Sequence, residues 1–294
     1  MIDSAQPLTQ LQLGSALPSF RNPLPLERGN IGENMTYKPI ILDITNQIAT
    51  ITLNQPERLN ACSLDMADEI SDALDRLGDA RVLVITGAGR AFCSGADLAA
   101  RGDRPVTGGQ GSYIALTQKY NPMILKLMRL DMPVITAING PAAGVGCSIG
   151  LVGDFVLAGK SGYFLQAFVN IGLVPDGGST WLLPRLIGKA RATQMMMLGE
   201  KISGEQAADW GMIYKCVADD ALAAEVQALA TRLASGPTLS YATIRKNILT
   251  SLEHGLSDTL QAEAEGQRIA GGSDDAREGG RAFLEKRKAE FKGK

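Results

Sequence analysis

Two glycine-rich stretches and one acid are the parts of this sequence best suited to chemistry. The first stretch is Arg90-Ala91-Phe92-Cys93-Ser94-Gly95-Ala96-Asp97-Leu98. The second is Asn139-Gly140-Pro141-Ala142-Ala143-Gly144-Val145-Gly146-Cys147-Ser148. Each follows a buried apolar run and leads toward a helix. Glycine lets a backbone turn sharply and approach a ligand closely. A helix start adds unpaired N–H groups at the positive end of a dipole. Such loops cradle either a phosphate or a developing oxyanion. The phosphate readings fail in detail. Neither stretch holds GxxxxGK[ST]. In the second, Gly144 and Gly146 open a GxGxxG pattern, but Ile149 stands where the third glycine belongs and Gly150 comes one position late. The acid is Asp176, in Gly172-Leu173-Val174-Pro175-Asp176-Gly177-Gly178. Taken alone, Pro-Asp-Gly reads as an ordinary turn. Cys147 and Ser148 have no base in sequence reach, so neither reads as a nucleophile.

The elements that must position these groups are legible from periodicity. Residues 39–44 (PIILDI) and 48–53 (IATITL) read as a hairpin joined by Thr45-Asn46-Gln47. Residues 63–76 open with a Ser and place Met66, Ile70 and Leu74 at helical spacing. Residues 81–86 (RVLVIT), 133–138 (PVITAI) and 154–158 (DFVLA) read as buried strands, and 112–130 as helix, with a polar loop at 101–111. This alternation predicts an α/β fold with largely parallel strands. From about residue 188 the pattern turns helical, with segments 218–235, 237–250, 256–270 and 274–291. The expected organisation is a loosely ordered N-terminal extension over 1–35, an α/β core over 36–200 and a helical region over 201–294. The first 34 residues are rich in Pro and Gly, with little periodicity. Met35 stands just before the first convincing strand and is expected to be the natural translation start.

Composition removes several classes of function. A net charge of -2 gives no basic field to hold nucleic acid. The single histidine, His254 in SLEHGLSD, lies near an expected helix end, which leaves little room for a His-rich zinc site or a Ser-His-Asp triad. Cys62, Cys93, Cys147 and Cys216 are scattered without a CxxC pair, which suits free thiols in a reducing cytoplasm. No segment approaches the roughly 18 apolar residues of a membrane span.

From about residue 36 onward the chain resembles the crotonase (enoyl-CoA hydratase/isomerase) superfamily. Six stretches in order carry the resemblance: ITLNQPERLNACSLDM (51–66), VLVITGAGRAFCSGADL (82–98), PVITAINGPAAGVGCSIGL (133–151), GLVPDGGSTWLLPRLIG (172–188), LGEKISGEQAADWGMI (198–213) and FLEKRKAEFKGK (283–294). The QAF…GLVPD…TWLLPR pattern is most similar to the ring-1,2-epoxyphenylacetyl-CoA isomerase and enoyl-CoA isomerase type. There the pattern usually continues Ser-Gly-Gly after Pro-Asp, where this chain has Gly177-Gly178-Ser179. The resemblance implies a crotonase-like spiral of ββα repeats followed by a helical trimerisation region. It implies an acyl-CoA thioester as substrate and partner, with coenzyme A part of the substrate rather than a separate cofactor. It also implies a homotrimer or dimer of trimers, with neither nucleic acid nor membrane as partner.

Residue by residue, the resemblance makes the N–H groups of Ala96 and Val145 the donors to the thioester oxygen. Two fixed donors suit a reaction in which negative charge builds on that oxygen as an α-proton leaves, each worth roughly 3–4 kcal/mol. The two glutamates of the family's hydratases are missing, replaced by Ser148 and Phe168. Asp176 stands where isomerase branches carry a single acid. The expected reaction is therefore a double-bond or ring-epoxide isomerisation with Asp176 as proton shuttle. Burial beside Phe168 and Trp181 is expected to raise its pKa. The alternatives are a hydratase with atypical residues and a non-catalytic acyl-CoA binder. Ser148, Phe168 and Val145 suggest a fairly apolar acyl pocket, and Asp97, Leu98 and Trp181 are further candidates for substrate binding. Asp97 is expected to cap the short helix that follows it. Arg58 and Lys286 are candidates for the CoA phosphates, set against the plain reading of each as a solvated surface cation.

Overall fold

A computed structural model of the chain describes residues 37–97 and 107–294. The expected extension over 1–35, Leu98 and most of the 101–111 loop lie outside the described residues. Strands β1 (Ile40–Thr45) and β2 (Ile48–Leu53) form the expected hairpin. Its turn is Asn46-Gln47 alone, with φ of 53° and 62°. Two positive φ values give a primed turn, whose twist matches that of the strands it joins. Thr45 therefore pairs with Ile48 and belongs to the strand.

Strands β3 (Val82–Gly87), β4 (Val134–Ile138), β6 (Phe155–Gly159) and β9 (Lys215–Val217) extend the sheet from β2, all in parallel register. The order is β1-β2-β3-β4-β6-β9. The apolar runs in β3 and β4 are continuous because both faces of the sheet are covered. On one face Leu83, Ile85 and Ile138 pack with Met66 and Ile70 of helix α1 (Leu64–Ala73). On the other, Val82, Val84 and Ile135 pack with Val226, Ala230 and Leu233 of helix α7 (Leu222–Ala234). Helix α1 starts where the sequence places it, at Ser63, whose side chain accepts from Met66 N at 3.1 Å.

A second, three-stranded sheet has the order β5-β7-β8, from Pro141–Ala143, Tyr163–Leu165 and Lys201–Ser203. Helix α4 (Val145–Leu151) follows β5 after one residue, and α5 (Ser179–Leu198) follows the Asp176 turn. Helix α6 (Gly204–Asp209) joins β8 toward β9. Strands β8 and β9 lie beyond residue 200, so the change in composition there does not mark the end of the sheets. Met35–Lys294 form one compact unit.

Two further expectations need correction. The segment read as a polar loop up to residue 111 is already helical from Gly108. Helix α2 (Gly108–Ala115) runs through a π turn over Leu116–Tyr120 into α3 (Asn121–Met128). Glycine at 108, 109 and 111 argues against helix locally, but burial of Ala115 and Tyr120 in the core holds it in place. The last helix is also shorter than expected. After α8 (Thr238–Glu253) and α9 (Leu256–Gly271), α10 (Asp274–Glu285) stops at Lys286, whose φ is 54°. The tail then returns to the start of α10. The buried Asp275 carboxylate accepts from Lys292 N at 2.6 Å and Gly293 N at 2.8 Å. His254 closes α8, at the helix end where the sequence puts it. Among the described residues no helix is long and apolar enough to cross a membrane.

Candidate active site

The two glycine-rich loops leave the ends of neighbouring parallel strands, β3 and β4, and meet. Cys93 N donates to Pro141 O and Ala143 N to Cys93 O, both at 2.9 Å. On its other side the first loop pairs with Cys62, through Cys62 N to Gly95 O at 2.7 Å and Asp97 N to Cys62 O at 3.0 Å. This parallel bridge uses the Gly95 carbonyl and the Asp97 N–H, one on either side of Ala96. It leaves the Ala96 N–H directed away from Cys62, as strand alternation requires. Val145 is the first residue of α4, so its N–H has no partner within the helix. Among the described residues no hydrogen bond is donated by either amide to the protein.

The two loops touch at glycine. Gly144 has φ of 52°, which an L side chain rarely adopts. A Cβ there would lie 3.7 Å from Gly95 Cα and 3.5 Å from Phe168 Cζ. Phe168 therefore sits directly over the residue before Val145. It reaches this place on a 3-10 turn, Ala167–Ile171, that follows β7.

Asp176 arrives from the next loop. Its main chain is held against α4, with Ser148 Oγ donating to the Asp176 carbonyl at 2.9 Å. Gly177, with φ of 59°, presses on the same helix. A Cβ there would lie 2.7 Å from Ser148 Cβ and 3.4 Å from Val145 Cγ2. The Asp176 Oδ1 atom is shielded from solvent. The chain thus brings Ala96, Val145, Ser148, Phe168 and Asp176 to one region. Ser148 is wholly buried, and its hydroxyl is engaged by Asp176 and Ser179. Trp181 lies on α5 beyond the turn and carries the Arg185 guanidinium 4.2 Å from its ring centre.

Arg58 and Asp97 meet each other. Arg58 Nη2 donates to Asp97 Oδ1 at 2.8 Å, and Nη1 lies 2.7 Å from Oδ2. The Asp97 side chain is 3% exposed and that of Arg58 41%. The pair braces the residue directly after Ala96. Whether Asp97 also caps a helix falls outside the described residues. Lys286 ends α10, and among the described residues no hydrogen bond ties its side chain to this site.

The thiols around the site are held protonated. Burial raises Cys62 well above its usual value, and neighbouring Cys93, Asp176 and Asp97 raise it further. Burial also pushes Cys93 up to about 11 and Cys147 up to about 12. A thiol is inert as a nucleophile in such surroundings. Several residues were not singled out from the sequence. Asn60 Nδ2 donates to Ala88 O and Ala91 O, and Asn139 Nδ2 to Gly87 O and Gly89 O, which tie down both loop bases. Gln166 Nε2 donates to Ser179 Oγ at 2.8 Å. The one available signal for Gln166 is a polar residue inside the apolar run YFLQAFV.

The Ala96 amide, the Val145 amide and the Asp176 turn lie on loops and a helix that touch one another. Comparison with known proteins decides the family. Residues 43–294 match the family model described as Enoyl-CoA hydratase/isomerase. The chain belongs to this family. A relative from Escherichia coli strain K12, 1,2-epoxyphenylacetyl-CoA isomerase, is 42% identical over 87% of this chain and 98% of its own length. A relative from Rhodobacter capsulatus, named "Probable enoyl-CoA hydratase", is 42% identical over 88% of this chain and all of its own. The solved structure of an enoyl-CoA hydratase from Bacillus anthracis superposes with a TM-score of 0.82 at 29% identity. It covers 87% of this chain and 100% of that one. The crotonase fold and the family expected from the sequence are thereby established, while the names of the relatives include both isomerase and hydratase.

Proposed function

We propose that this crotonase-family enzyme isomerises acyl-CoA thioesters, with a 3-enoyl-CoA as the simplest substrate. The thioester oxygen lodges between the N–H groups of Ala96 and Val145. Asp176 removes a proton from C2, and the dienolate is stabilised by the two amides. The protonated acid returns the proton at C4. Atoms balance within the substrate, because the proton removed is the proton returned. The observation that carries the reading is the Asp176 turn, bonded to the same helix that begins with Val145. Ser148 and Phe168 occupy the places that the resemblance assigns to the paired glutamates of hydratases, which favours a single-acid reaction. The relative named 1,2-epoxyphenylacetyl-CoA isomerase adds a ring epoxide of an aryl acyl-CoA to the substrates worth testing.

The test is Asp176→Asn, assayed with 3-hexenoyl-CoA. Isomerisation is expected to fall by at least 10²-fold while CoA-thioester binding persists. Retained turnover refutes the role. The name of the Rhodobacter capsulatus relative supports a second reading, hydration. Crotonyl-CoA hydration by the wild-type enzyme at a rate matching isomerisation would favour it. The C-terminal helices leave Leu256, Leu260, Phe283 and Leu284 largely exposed. We read this apolar face as the contact between copies in a homotrimer or dimer of trimers.

A further inference from the structure

We propose that Ser148 and Ser179 are positioning residues that aim the Asp176 acid through a hydrogen-bond chain of one fixed direction. The proposal rests on Asp176 being the proton shuttle. The chain runs from Gln166 Nε2 to Ser179 Oγ at 2.8 Å, from Ser179 Oγ to Ser148 Oγ at 2.7 Å, and from Ser148 Oγ to the Asp176 carbonyl at 2.9 Å. Gln166, Ser148 and Ser179 are all 0% exposed, so solvent does not compete for the two bonds between their side chains.

Counting hydrogens sets the direction. An amide nitrogen only donates and a carbonyl only accepts, while each hydroxyl carries one hydrogen. Gln166 donates at one end and Asp176 accepts at the other. Ser179 must then give its hydrogen to Ser148, and Ser148 must give its own to Asp176. The other acceptor near Ser148 Oγ is Gly144 O, at a weaker 3.4 Å. Reversing the bond between the serines leaves the buried Ser179 hydroxyl hydrogen without an acceptor among the described residues, which is costly. The Asp176 carbonyl also accepts from Ser179 N at 3.1 Å.

The chain joins three separate elements: the end of β7, the first residue of α5, and α4. Val145 and Ser148 are three residues apart on α4, neighbours along one helix face. The oxyanion donor and the main chain of Asp176 are thus linked by a rigid spacer and the Ser148 hydrogen bond. The turn needs such an anchor. Val174, two residues before Asp176, is 79% exposed, and Gly177 and Gly178 after it both have positive φ.

The experiment compares Ser148→Ala, Asp176→Asn and the double variant with 3-hexenoyl-CoA. Ser148→Ala is expected to lower kcat about 10²-fold, the scale of a misplacement near 1 Å, with KM within about twofold. In the Asp176→Asn background the same change should cost nothing more, because the group being aimed is gone. A purely structural role would lower the melting temperature and leave kcat of the folded enzyme unchanged. Should Ser148→Ala fail to fold, Ser179→Ala carries the test, with kcat expected to fall about tenfold at constant KM. Wild-type kcat in the foldable serine variant, with Asp176→Asn inactive, overturns the positioning role alone. Full turnover by Asp176→Asn overturns the shuttle and the positioning role together.

Discussion

Replacing Gly177 with alanine separates two costs that the turn before α5 combines. The first is conformational. Gly177 has φ of 59°, and a left-handed alanine costs about 1–2 kcal/mol. The second is steric. The new Cβ would lie 2.7 Å from Ser148 Cβ and 2.9 Å from Ser148 Oγ, and overpacking of a filled interior costs about 1–3 kcal/mol. Together they predict a loss of about 2–5 kcal/mol. Gly211→Ala is the control. Gly211 also has a positive φ, of 70°, but a Cβ there meets nothing within 4 Å. It should lose only the conformational part, about 1–2 kcal/mol. Urea unfolding of both variants gives the difference directly. Isomerisation of 3-hexenoyl-CoA supplies an independent reading, because the crowded alanine must push the Asp176 turn away from α4. A shift near 1 Å should reduce kcat about 10²-fold, while Gly211→Ala keeps wild-type kcat. A Gly177→Ala enzyme as stable as Gly211→Ala and fully active would show that the turn does not press on α4.

Arg58→Ala removes one partner of a carboxylate that is 3% exposed. It should destabilise the fold by about 1–3 kcal/mol in urea melts, below a fully buried pair because Arg58 is itself part-exposed. It should also lower kcat by loosening the Ala96 loop. Stability should fall on the alkaline side. Burial raises Cys93 from 9.0 to about 11 and Cys147 from 9.0 to about 12. A raised folded-state pKa contributes stability that is intact below 9 and is lost as pH rises toward these values. Melting temperatures measured across that range should drop, and Cys93→Ala should reduce the drop; a flat profile would contradict the thiol burial. Light scattering of the wild-type protein is expected to give three or six times the chain mass, and a monomer would leave Phe283 and Leu284 without the cover assigned to them.

Local repetition accounts for what could be read before any fold was known. Val82 and Val84 alternate with Leu83 and Ile85 because a strand has period two, and the two sets pack against opposite layers. Met66 and Ile70 declare a helix by the same kind of regularity, and Ser63 declares its start. Ala96, Val145 and Asp176 could be named because each sits inside a contiguous motif whose order along the chain resembles a family. The start of α2 was hidden, since its glycines argue for a loop and only core contacts around Ala115 and Tyr120 argue for a helix. The supports of the site were equally hidden. Arg58 and Asp97 are 39 residues apart, Ser148 and Ser179 are 31, and Gln166 and Ser179 are 13. No spacing rule joins such pairs. They meet because parallel strands bring their loops to one end of the sheet, where side chains from remote segments come into contact. A motif carries its own backbone geometry within a few residues, whereas the partner of a buried polar group depends on which elements pack beside it, and that is settled only when the whole chain closes.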